Sequence, residues 1–181
     1  MHARHGPSLT HPLFTAADFT PTRFDTGGDK AWFANTLCRF IARDFPEALW
    51  TQRLYRRLSL TCGHIAHCNS HGFWAEFFAG LQGKVAFLEQ TLAHPCHGQP
   101  GYTYCDVERT VQSRLHAANI LATYRALRAA EIEGAERALL TRLREKYEGV
   151  PRTRAAELPT LRPPAPPSPR RNGAAEQPGL L

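Results

Sequence analysis

Between Cys62 and His71 the chain reads CGHIAHCNSH, which places five side chains able to bind a metal within ten residues. Neutral imidazole and thiolate are the ligands that tetrahedral zinc prefers. On a helix, His64, His67, Cys68 and His71 would stand at i, i+3, i+4 and i+7, along one face. Two groups at i, i+4 can share an ion but four on one helix cannot. The remaining ligands would have to come from His94, Cys96, His97 or Cys105 downstream. No CxxC pair is present, and no finger, ribbon or ring spacing is matched. Gly63, Asn69 and Gly72 also disfavour one continuous helix. In the competing reading Gly63 ends a helix and His64 and His67 are hydrogen-bonded turn residues. Cys62 and Cys68 are then buried as small apolar groups. The expectation is a chain without a cofactor, with zinc at Cys62, His64, His67, Cys68 and His71 as the alternative.

Other chemistry has less to stand on. The Gly27-Gly28-Asp29-Lys30 stretch lacks both the spacing and the closing Ser/Thr of a phosphate-binding loop, and HExxH, GxSxG and GxGxxG are absent. Cys62 and His64 are too near in sequence to face each other as nucleophile and base, which normally come from separate elements. Asp44, Glu47, Glu76, Glu89 and Asp106 form no evident carboxylate pair. The expectation is a protein that is not an enzyme.

A basic face is the third candidate. Arg39 and Arg43 stand at i, i+4, and Arg53, Arg56 and Arg57 share a face with Tyr55 between them. Two helices joined by a short turn suggest helix-turn-helix geometry, but a recognition helix reads bases with its N-terminal residues, here Glu47, Ala48 and Leu49. Phosphate contact through Arg39, Arg43, Arg53, Arg56 and Arg57 is therefore expected in preference to base readout. The formal charge of +6 permits this without demanding it. Half of that excess lies beyond Gly149, where five arginines face Glu157 and Glu176.

These residues need a scaffold, and the periodicity supplies one. Residues 1–28 have three prolines and no helical or strand period. Phe14, Phe19 and Phe24 recur every five residues, as in an extended aromatic arm that lies on its own body. Thr26 or Asp29 caps a helix in which Phe33, Leu37, Phe40 and Ile41 form one stripe. Asp44-Phe45-Pro46 ends it and opens a second, with Asp44 as cap and Trp50, Leu54 and Leu58 inward. A third runs from Ser70 to Leu92, through Gly80 and Gly83, where a glycine marks a close approach by a neighbour. A fourth starts at Thr103 or Asp106 and reaches about Tyr147, with Val107, Val111, Leu115, Ala118 and Ala122 as its early stripe. Unbroken, it would measure about 65 Å against a radius of gyration near 14 Å for a body of this size. It should break, with Gly134 the expected place, or project. The thin stripe Ile132, Leu139, Leu143 and Tyr147 within residues 131–148 suits a coiled-coil seam or docking helix for a protein partner or self-association, the alternative being that it folds back on the body.

From Gly149 the composition changes, with eight of the fourteen prolines in the last thirty-three residues, which predicts a disordered basic tail over 149–181. No run approaches eighteen apolar residues, and residues 1–20 lack the apolar core of a secretory signal. The expectation is a cytoplasmic protein, without membrane contact, whose five cysteines are thiols or metal ligands. The stretches FDTGGDKAWFANTLCRFIARDF (24–45) and LSLTCGHIAHCNSHGFW (58–74) resemble accessory proteins of broad-host-range plasmids and integrative elements, encoded beside stable-inheritance and anti-restriction genes. That resemblance implies a bacterial protein serving a mobile genetic element, and it carries no site residues. The architecture expected is all-α: a compact bundle of about four helices over 29–148, with a long C-terminal helix, between arm and tail. Its expected function is a non-enzymatic accessory role through protein–protein interaction; a DNA-associated maintenance or regulatory factor and a small structural-zinc protein are the alternatives.

Overall fold

The structure is a computed structural model that describes residues 9–61, 69–94 and 96–148. Its described residues contain six α-helices and no strand: α1 (Gly27–Ala42), α2 (Gln52–Thr61), α3 (Ser70–Phe77), α4 (Leu81–Ala93), α5 (Cys105–Ala117) and α6 (Ile120–Glu148). Two short 3-10 turns, Ala16–Asp18 and Glu47–Leu49, lie before and after α1. The tail over 149–181 lies outside the described residues. The chain divides into two units, Met1–Ala138 and Leu139–Leu181, with the boundary inside α6.

Helix α1 begins as its sequence dictates. Thr26 is the N-cap: its hydroxyl accepts from the Asp29 amide at 3.1 Å, and the Asp29 carboxylate accepts from the Thr26 amide at 3.0 Å. This reciprocal box satisfies two amides that the first turn would otherwise leave open. Phe33, Leu37, Phe40 and Ile41 are all buried, as the stripe requires. The end of α1 departs from expectation. Asp44 does not cap the next helix; Asp44 and Phe45 lie in the left-handed region, with φ of 66° and 55°. Two such non-glycine residues cost of order 1–3 kcal/mol each unless their surroundings hold them. Here the Asp44 carboxylate accepts from Lys84 Nζ and from the Tyr124 hydroxyl, both at 2.8 Å. The Phe45 ring packs against Phe40, Phe78, Phe87 and Tyr124.

That reversal feeds an aromatic core. Phe78 sits at its centre, with ring centroids 5.0 Å from Phe40, Phe45 and Phe87 and 5.1 Å from Trp50. Trp50 in turn stacks on Phe73 at 5.4 Å and donates its indole N–H to the Ser70 carbonyl. Each fully buried ring of this kind contributes about 1.5–3 kcal/mol over an exposed one, so α1, α3 and α4 and the segment from Phe45 to Trp50 are held by shared apolar burial.

The two long helices read from periodicity are each cut in two. The stripe from Trp74 to Leu92 is interrupted at Phe78–Gly80, where Gly80 takes an extended conformation as the N-cap of α4. A Cβ at Gly83 would stand 2.2 Å from the Glu76 carbonyl oxygen, so the close approach expected of a mid-helix glycine comes from the preceding helix. Asn69 takes the capping role at α3 that Ser70 was expected to fill, accepting from the Gly72 amide. The last helix breaks at Ala118–Asn119, with Asn119 at φ 51°, and not at Gly134, which α6 passes without interruption. The break rotates the inward face: Ile120 and Tyr124 are buried and Ala122 is exposed.

The arm lies on its own body. Leu9 and Phe19 are buried, Phe14 meets the Phe19 ring at 5.7 Å, and Asn35 on α1 both donates to and accepts from the Phe14 backbone. The Arg114 guanidinium covers the Phe14 ring at 3.5 Å. Phe24, by contrast, is 86% exposed.

Gly83→Ala should destabilise the fold by about 2 kcal/mol or more, since backbone must move to admit one methyl. Gly134→Ala meets nothing within 4 Å and should add about 0.5–1 kcal/mol of helix stability. Thermal melts followed at 222 nm compare the two. A second expectation concerns Cys38, whose thiol burial pushes up from about 9 to about 11. Below pH 9 both folded and unfolded chains keep the proton and its contribution is whole. Between 9 and 11 only the unfolded chain releases it, so stability falls by roughly 3 kcal/mol. The stability gap between wild type and Cys38→Ala should therefore narrow as the pH of the melt rises through that window.

Candidate functional site

The five arginines of the expected basic face have different surroundings. Arg57 on α2 is consumed by the fold: it grips the Asp25 carboxylate with both terminal nitrogens, one of them at 2.9 Å, and lies over the Tyr104 ring at 5.3 Å. The Asp25 pairing stabilises the Arg57 charge further. Arg53 lies flat on Trp32 of α1, guanidinium to ring centroid 3.7 Å, with Asp29 at 3.6 Å. Arg39, Arg43 and Arg56 are exposed, and among the described residues no ion pair engages them. Arg53, Arg56 and Arg57 line one cleft with Phe24 and Asp25; Arg39 and Arg43 are not part of it. The helical spacing puts them on the Trp32 face of α1, two and three turns further along.

A second cleft shares Phe24, Asp25 and Arg57 with the first and continues past Thr61 to Tyr102, Tyr104 and Glu108. Its volume is about 380 Å³. Burial raises the Tyr104 phenol to about 12, the Arg57 charge opposing and the Asp25 carboxylate adding to the rise. Burial also raises the Glu108 carboxyl, against the hydrogen bond from the Cys96 thiol. The thiol is itself raised by burial. A thiol shifted this way is a poor nucleophile, because the thiolate is the reactive form. Cys38 and Cys105 are buried, and Cys105 Sγ donates to the Gly98 carbonyl.

What forms this cleft is a polar anchor invisible to pattern reading. Lys30 is fully buried on α1, and its ammonium donates to Pro100 O, Thr103 O and Asp106 Oδ1 at 2.8, 2.8 and 2.9 Å. The other Asp106 oxygen accepts from the Thr20 amide of the arm. Tyr102 is held in the loop between the two carbonyls and is 84% exposed. The only sequence signal for it was the lysine set among apolar neighbours of α1.

Of the metal-ligand candidates, Cys62, His64, His67 and Cys68 lie outside the described residues. His71 is exposed on the first turn of α3. Among the described residues no group of three or more His, Cys, Asp or Glu is placed to hold a metal ion.

The C-terminal part of α6 is a surface of another kind. Residues 129–148 are exposed throughout, and Ile132, Leu139, Leu140, Leu143 and Tyr147 are 43–66% exposed. Among the described residues no helix is long and apolar enough to cross a membrane. No protein-family model, curated protein or solved structure matches this chain.

Arg57→Ala should cost about 1–2 kcal/mol, because it leaves a mostly covered Asp25 carboxylate without its counter-charge. Arg56→Ala should stay within about 0.5 kcal/mol of wild type. Chemical denaturation of the two variants checks the difference.

Proposed function

We propose that the protein works without catalysis, by pairing with a second copy of itself through residues 131–148 as an accessory component of a bacterial mobile element. The observation that carries this reading is the exposure of large apolar side chains on α6: Ile132 in the first unit, and Leu139, Leu140, Leu143 and Tyr147 in the second. Exposed aliphatic side chains at this density favour a covering partner.

Charge along the same helix selects the partner. Glu131, Glu133 and Glu136 make its first part acidic, while in its last part Arg137, Arg142, Arg144 and Lys146 outnumber Glu145 and Glu148, with Arg137 paired to Glu133. Two copies laid antiparallel put acidic against basic at both ends of a two-fold interface, whereas parallel copies would set like against like. Flanking charges of this kind fix orientation in helix pairs. The mobile-element setting rests on the likeness of residues 24–45 and 58–74 to plasmid accessory proteins.

Light scattering on the full chain should give a dimer, and Leu139→Glu with Leu143→Glu should give a monomer of unchanged helicity. Replacing Glu131, Glu133 and Glu136 by Lys should abolish self-association. Mixing that variant with one carrying Arg142→Glu, Arg144→Glu and Lys146→Glu should restore it. A wild type that stays monomeric at its highest soluble concentration overturns the reading.

A further inference from the structure

We infer that the joined clefts between the arm, α2 and the 98–104 loop bind single-stranded nucleic acid, stacking bases on Phe24 and Tyr102 and placing phosphates on Arg53 and Arg56. Two features coincide there. Phe24 and Tyr102 come from segments far apart in sequence, border the same cleft and are 86% and 84% exposed. Among the described residues neither ring belongs to the buried core. Beside them α2 presents Arg53 and Arg56 on the cleft that Phe24 also borders, with the Arg23 guanidinium 5.6 Å from the Phe24 ring. Exposed rings beside a basic groove are the elements of single-strand recognition, because every base has a face to stack and every nucleotide a phosphate.

The arrangement separates roles among the arginines. Arg57 is charge-balanced by Asp25 and fixes the wall of the cleft, so it is a positioning residue. Arg56 has no ion-pair partner among the described residues and is free for a phosphate. Arg53 is pre-oriented by Trp32 at 3.7 Å and by Asp29 Oδ1 at 3.6 Å, while the other Asp29 oxygen caps α1.

A single strand fits better than a duplex. In a duplex the base faces cover one another and offer nothing to Phe24 or Tyr102. The surface is also concave, whereas groove reading needs a protruding helix. An acidic peptide would satisfy the arginines but leave the rings without flat partners.

Fluorescence anisotropy with the full chain provides the test, using labelled oligo(dT), a duplex of the same length, and unlabelled heparin and poly-glutamate as competitors. Oligo(dT) should bind more tightly than the duplex, and its affinity should fall steeply as salt is raised. Phe24→Ala and Tyr102→Ala should each weaken oligo(dT) binding about fivefold or more with unchanged melting temperatures. Arg56→Ala should weaken it and reduce the salt dependence. Three results would each overturn the inference: no binding of oligo(dT) at low salt, a duplex bound as tightly, or aromatic variants that bind like wild type. The last would assign any binding to charge alone, the arginines beyond Gly149 included.

Discussion

One ammonium group governs the geometry of the face with the clefts. A lysine charge taken wholly out of water costs several kcal/mol unless its donors are met, and Lys30 meets all three, on two backbone carbonyls and one carboxylate. The loop must therefore turn Pro100 and Thr103 inward, and it does so by folding tightly: a Cβ at Gly98 would stand 2.5 Å from the Thr103 hydroxyl. Asp106 is shared, holding Lys30 with one oxygen and the arm with the other. The arm leading to Phe24 and the loop carrying Tyr102 are thus both tied to this one buried pair. Apolar packing holds the helices together, but the surface they display is set by electrostatics.

The basic residues of the chain are less alike than a net charge of +6 implies. Arg114 covers Phe14, Arg109 donates to the Cys96 carbonyl, Arg125 meets Glu89, and Arg57 meets Asp25. Lys84 supports the reversal after α1. Each of these charges fastens one segment to another and is largely spent there. The cations left over, Arg39, Arg43 and Arg56 among them, are the ones with capacity for a second molecule.

How much of this was legible in the sequence follows from the range of each interaction. The Thr26 cap depends on residues three apart and could be read directly. So could the inward stripe of α1 and the docking of Phe14 and Phe19. The breaks at Phe78–Gly80 and Ala118–Asn119 could not, because both flanking helices face the same core and the apolar spacing continues across each corner. Lys30 was unreadable for a different reason: two of its three acceptors are backbone carbonyls some seventy residues away, which no side-chain pattern announces. Phe24 shares the five-residue spacing of Phe14 and Phe19 yet is not buried with them, Tyr102 gave no periodic signal, and only the folded chain puts the two on one cleft. The Cys/His stretch was the densest chemical feature in the sequence, yet only His71 of its five ligand candidates lies within the described fold.

The reversal after α1 also limits how this chain can drift. Asp44 keeps an unfavourable backbone angle while Lys84 and Tyr124 both hold its carboxylate, so one side chain serves the turn and two donors at once. Substitutions at these three positions are therefore epistatic. Glycine at 44 would relieve the backbone yet take away the carboxylate that Lys84 and Tyr124 share, leaving the lysine its bond to the residue-44 carbonyl.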